Sequence, residues 1–118
     1  MKLEYFYFPD CPSHAEGLTR LKKVLAEKGL NPEIEITCVN SDEQAQDLDF
    51  IGSPTILVDG RDVDPQGRKG QSHALACRIY RLEDGRYSPL PSEQMIRKAL
   101  ERAVADRPVE QQNNEGGI

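Results

Sequence analysis

Three scarcities bound what this chain can be. Cysteine is rare and odd in number: Cys11, Cys38 and Cys77 do not make the disulfide framework of a small secreted domain, which leaves reactive or buried thiols. Positive charge is in deficit, with 15 Lys and Arg against 20 Asp and Glu and a formal net charge of −5. The broad basic footprint that a phosphate backbone demands is missing, so nucleic acid is not an expected partner. No apolar run approaches the ~18 residues of a membrane span, and the first residues lack the basic start and apolar stretch of a secretion signal. A cytoplasmic protein without membrane contact is expected. Glycine-rich phosphate loops, a G-x-S-x-G elbow, paired catalytic carboxylates and a C-x-x-C or H-x-x-x-H pair are also absent. No cofactor and no metal are therefore expected.

What is present suits one domain. With 118 residues, 37% hydrophobic and 30% charged, the chain can bury a single core. Residues 3–8 (LEYFYF) carry apolar side chains on both alternations, as a central strand covered on both faces would. From residue 14 to 28, Leu18, Leu21, Val24 and Leu25 recur at helical spacing, with Gly29 where a left-handed cap is needed. Residues 33–39 (EIEITCV) alternate, placing Ile34, Ile36 and Cys38 on one face of a strand near a sheet edge. Ser41 with Gln44 forms a capping-box pattern for a short second helix ending near residue 49, with Ala45 and Leu48 inward. Residues 55–58 (TILV) form a third strand that Asp59-Gly60 turns, followed by a polar loop from 61 to 73. Residues 78–82 (RIYRL) supply a fourth strand, Asp84-Gly85 turns again, and Ser92 caps a last helix. The final stretch, VEQQNNEGGI, has too little apolar surface to pack. The expected organisation is a domain over residues 1–104 and a disordered tail over 105–118.

This order, β-α-β-α-β-β-α, predicts an α/β fold: a four-stranded mixed sheet with helices on both faces. A right-handed crossover makes the first two strands parallel. Cys11 then falls between a strand and a helix start, where unpaired N–H groups and the helix dipole favour a nucleophilic thiolate. Pro12 stiffens that turn. Arg61, Arg68, Lys69 and His73 in the long loop read as solvated charges, offset by Asp62 and Asp64.

The segments Phe8-Pro9-Asp10-Cys11-Pro12-Ser13-His14, FIGSPTILVDGRDV and CRIYR together resemble the thioredoxin-like superfamily. More narrowly, they resemble small bacterial proteins of the thioredoxin or glutaredoxin family, some filed as alkylmercury-lyase-like. The resemblance implies a thioredoxin-like fold and a cis Pro54, an isomer that the sequence pattern alone leaves open against trans. It also implies a docking edge of Pro12, Ser53, Pro54 and Thr55 at which Ser53 backbone groups are free to pair with an extended substrate. His14 stands where dithiol members keep a second cysteine, so a monothiol oxidoreductase is expected, with Cys11 as nucleophile and His14 as its modulator. The mixed disulfide would be resolved by an external thiol, glutathione among them, or by another cysteine. Residues 83–92 lack the paired-glycine turn with which glutaredoxins bind glutathione. Cys38, at the same sheet end as Cys11, ranks ahead of Cys77, which is placed at the opposite edge unless the long loop folds back. For both, a buried structural thiol is the first reading. Two further readings are a thioredoxin-fold binding module without redox chemistry, and soft-metal or organomercurial handling through Cys11 and His14.

Overall fold

A computed structural model describes residues 1–69, 71–73 and 75–105. Most of the expected tail, from residue 106 on, lies outside the described residues. Strand β1 (Leu3–Tyr7) is followed by helix α1 (His14–Glu27), β2 (Ile34–Cys38), α2 (Asp42–Asp47), β3 (Thr55–Val58) and β4 (Arg61–Asp62). A 3-10 turn at Gln66–Arg68, a ribbon of β5 (Tyr80–Arg81) and β6 (Tyr87–Ser88), and helix α3 (Glu93–Ala105) complete it.

The main sheet has the order β2-β1-β3-β4. Strand β1 lies between a parallel β2 and an antiparallel β3, so the apolar pattern on both of its faces is used. Leu3 and Tyr5 join Leu21, Val24 and Leu25 of α1, Ile56 and Val58 of β3, and Ile96, Ala99 and Leu100 of α3 in one core. Phe6 faces the other way, into a smaller cluster with Val39, Ala45 and Phe50 that α2 covers.

The helix boundaries follow local chemistry. Gly29, at φ +68°, closes α1 with Leu30 N–H bonded to Leu25 C=O, the left-handed stop expected there. Ser41 Oγ accepts the Gln44 N–H at 3.1 Å. The end of α2 uses Asp49, at φ 56°, in the same role, with Phe50 N–H on Ala45 C=O. The helix therefore stops before Leu48, which stays exposed while Phe50 takes the buried place. Ser92 Oγ accepts the Met95 N–H at the head of α3.

Two expectations need correction. The fourth strand of the main sheet is β4, not residues 78–82. Asp59 and Gly60 both take positive φ, 51° and 82°, the two-residue hairpin geometry that returns the chain at once. Arg61 thus pairs with Val58 and Asp62 with Leu57, and Tyr80–Arg81 pairs only with β6. The alternation of β2 also does not bury its apolar face. Ile36 is 49% exposed, because β2 is the outer strand and the helices cover only its inner margin.

Candidate functional site

The site gathers where β1 ends and β3 begins, which antiparallel pairing puts at one end of the sheet. After β1, Cys11 N–H bonds back to Phe8 C=O at 2.9 Å, a turn that aims the cysteine at the start of β3. Helix α1 begins at His14, with Ser13 as its N-cap residue. Cys11 therefore lies two residues ahead of the cap rather than at the helix start. Gly17 lets α1 lie close: a Cβ there would come within 2.5 Å of Tyr5 Oη and 3.1 Å of Pro54 Cγ.

Opposite Cys11, the Ser53-Pro54 peptide is cis. Thr55 Oγ1 donates to Gly52 C=O at 2.6 Å, and Tyr80 Oη donates to Pro54 C=O at 2.5 Å. Ser53, Pro54 and Thr55 are all buried, and Ser53 Oγ has no hydrogen-bond partner among the described residues.

The Ser53 backbone is not free, as the resemblance implied, but occupied by the chain itself. Ser53 N–H donates to Ala76 C=O at 2.8 Å, and Arg78 N–H donates to Ser53 C=O at 2.9 Å, a parallel bridge between Ser53 and Cys77. Gly52 makes room for it: its φ is +147°, and a Cβ there would lie 2.8 Å from Arg78 Cα. Cys77 thereby faces Cys11. Their sulfurs are 3.7 Å apart, with the Cys77 thiol donating to Cys11 and the Cys11 thiol donating to Ser53 C=O at 3.5 Å. Local desolvation and the adjacent Cys11 push the Cys77 thiol above its ordinary range. The two cysteines differ in access: Cys11 is 1% exposed, and Cys77 is exposed.

Charged anchors hold this segment down. Arg78 lays both terminal nitrogens on the buried Asp62, at 2.7 and 2.9 Å, donates to Asp64 C=O at 3.2 Å, and stacks 4.4 Å over the Tyr80 ring. Arg68 reaches the same Asp62 at 2.8 Å and pairs with Asp49, whose carboxylate also holds the His73 ring at 2.7 Å. Of the loop charges expected to be solvated, Arg68 and His73 are instead ties, while Lys69 is exposed.

The other expected site residues divide. Pro12 is exposed beside Cys11. The His14 ring stacks on Tyr7, with centroids 4.6 Å apart, and its backbone C=O accepts from Tyr5 Oη. The hydrogen bonds of the Cys11 sulfur are to Ser53 and Cys77 rather than to His14. Cys38 sits across from Tyr7 in the parallel ladder, and the neighbouring thiol pushes the Tyr7 phenol above its ordinary range. The sequence-based ranking of Cys38 over Cys77 thus reverses. The loop folds back, and it is Cys77 that meets Cys11.

Among the described residues, no group of three or more His, Cys, Asp or Glu side chains is assembled to hold a metal ion, and no helix is long and apolar enough to cross a membrane. Comparison with protein-family models, with curated proteins and with solved structures finds no match for this chain.

Proposed function

We propose that the protein is a thiol–disulfide oxidoreductase of thioredoxin-like design whose working groups are Cys11 and Cys77. Two features support the design: a cis Pro54 buried beside the Cys11 turn, and a β2-β1-β3-β4 sheet with β1 parallel to β2 and antiparallel to β3. The observation that carries the chemistry is the 3.7 Å separation of the two sulfurs, brought together from opposite halves of the chain by separate anchors. A disulfide bond is ~2.05 Å long, so a modest side-chain rotation brings the sulfurs to bonding distance.

In this reading the reduced protein and an external disulfide exchange to give the Cys11–Cys77 disulfide and two external thiols. The two protons and two electrons leave with those thiols, and reduction by two thiols runs the same balance backwards. The second thiol missing from the CPSH motif is supplied 66 residues away, so an external resolving thiol is not required. Thr55 and Tyr80 position the turn beside the sulfurs.

The test is the rate of glutathione release from glutathione disulfide under single-turnover conditions. Over that single turnover two thiols released per protein are expected, falling to one or none in either Cys11→Ser or Cys77→Ser, where only a mixed disulfide can form, and remaining two in Cys38→Ser. Equal loss in Cys38→Ser, or none in Cys77→Ser, would refute the assignment.

A further inference from the structure

Cys77 and Cys11 are not equivalent to a molecule arriving from solvent. Cys11 is 1% exposed, enclosed by the Ser53 C=O on one side and Cys77 on the other. The backbone edge along which an extended chain would slide towards Cys11 is already filled, because both Ser53 backbone groups are bonded to residues 76 and 78. Cys77 is exposed and lies on the wall of a groove of about 600 Å³, with Ile51, Gln71, Ile79, Arg81 and Tyr87 around it. Ile79 and Tyr87 are 67% and 70% exposed. The groove thus has a mixed wall beside the sulfur, with the apolar Ile79 and Tyr87, the Arg81 guanidinium able to meet a carboxylate, and the Asp64 carboxylate also on its lining. Its volume lies within the range of small-molecule sites.

Resting on the Cys11–Cys77 exchange pair proposed above, we infer that an external thiol attacks the oxidised protein at Cys77, not at Cys11, and that its class is a carboxylate-bearing thiol of peptide size seated in this groove. The thiolate sulfur bonds to Cys77 Sγ, the Cys11–Cys77 bond breaks, and the electron pair leaves on Cys11 as a thiolate. A second external thiolate then attacks the external sulfur of the mixed disulfide, releasing Cys77, and the Cys11 and Cys77 thiolates each take up a proton from solvent. The products are one external disulfide and the protein dithiol. Access decides which sulfur of a disulfide is attacked. The helix-preceding cysteine is then the internal partner, and the loop cysteine is the outward-facing one.

Glutathione serves as the probe. Fully oxidised wild-type protein is mixed with it, acid-quenched at the earliest times and mapped at all three cysteines. Glutathione on Cys77 exceeding that on Cys11 at least tenfold is the expected result, and equal or greater labelling of Cys11 overturns the inference. A starting material without a Cys11–Cys77 disulfide would instead sink the exchange pair itself, before glutathione is added. A second measurement avoids that dependence by alkylating the reduced Cys77→Ser and Cys11→Ser variants with iodoacetamide and with a bulky maleimide. Bulk should slow Cys11 at least tenfold more than Cys77, and equal sensitivity contradicts the inference.

Discussion

Ser53 shows how much one residue carries here. Its N–H and C=O hold the segment bearing Cys77, and its C=O also accepts the Cys11 thiol, while its hydroxyl is buried without a partner among the described residues. A buried unsatisfied hydroxyl costs about 1–3 kcal/mol. Ser53→Ala keeps every backbone bond and removes that penalty, so urea denaturation should show a gain of about 1 kcal/mol. Cys77 carries the titration signature of the pair. Its pKa is raised by local desolvation and by Cys11, so its alkylation in the reduced protein should reach half-maximum above the free-thiol value of ~8.5. Cys11→Ala should move that midpoint down, and an unchanged midpoint would mean the two sulfurs do not communicate. The place of Cys11 at this end of the sheet was legible from its position between a strand and a helix. The approach of Cys77 to it was not, because nothing adjacent to Cys77 in the sequence signals a partner. The signal lay in Gly52, whose φ of +147° and 2.8 Å approach to Arg78 explain a glycine ahead of Ser53-Pro54.

At the scale of elements, the decisive piece is the loop from residue 63 to 79, which supplies half the site. Buried charge ties it down alongside the apolar contacts of Val63 and Leu75, with Asp62 held between Arg78 and Arg68. Arg78→Met should cost about 3 kcal/mol, the lower end for breaking a buried pair, since Arg68 still faces Asp62. Gly52→Ala should act locally, pushing residues 76–78 off Ser53 and raising the iodoacetamide reactivity of Cys11, which is otherwise covered. The outer tie at Asp49 predicts a pH dependence. Its carboxyl is held below the usual range, chiefly by the His73 hydrogen bond with Arg68 adding to it. A lowered carboxyl pKa contributes stability that is present above the ordinary ~3.9 and lost as pH falls through the lowered value. Amide protection at Gly67 and Gln71 should therefore drop as pH falls through that acid window, and protection unchanged through it would contradict the assignment. Sequence periodicity revealed β1, α1, β2 and α3, and the Ser53-Pro54 and Asp59-Gly60 pairs bounded β3. It could not reveal β4, only two residues long, nor the fold-back of the loop, whose contacts join Asp62 to Arg78 and Asp49 to His73 across the chain.

For the whole molecule, a mixed sheet with helices on both faces brings the ends of β1 and β2 and the start of β3 to one side. The resemblance placed Ser53 and Pro54 opposite Cys11, where the structure has them, and the sheet itself was readable from the element order. That order also put Cys38 on this side, and the choice between Cys38 and Cys77 turned on a long-range path that local pattern does not encode. The most direct test is therefore a disulfide map of the full chain after equilibration with glutathione disulfide. A Cys11–Cys77 bond with Cys38 remaining a free thiol is the predicted result. A Cys11–Cys38 bond, or three thiols that form no internal bond, would contradict the account.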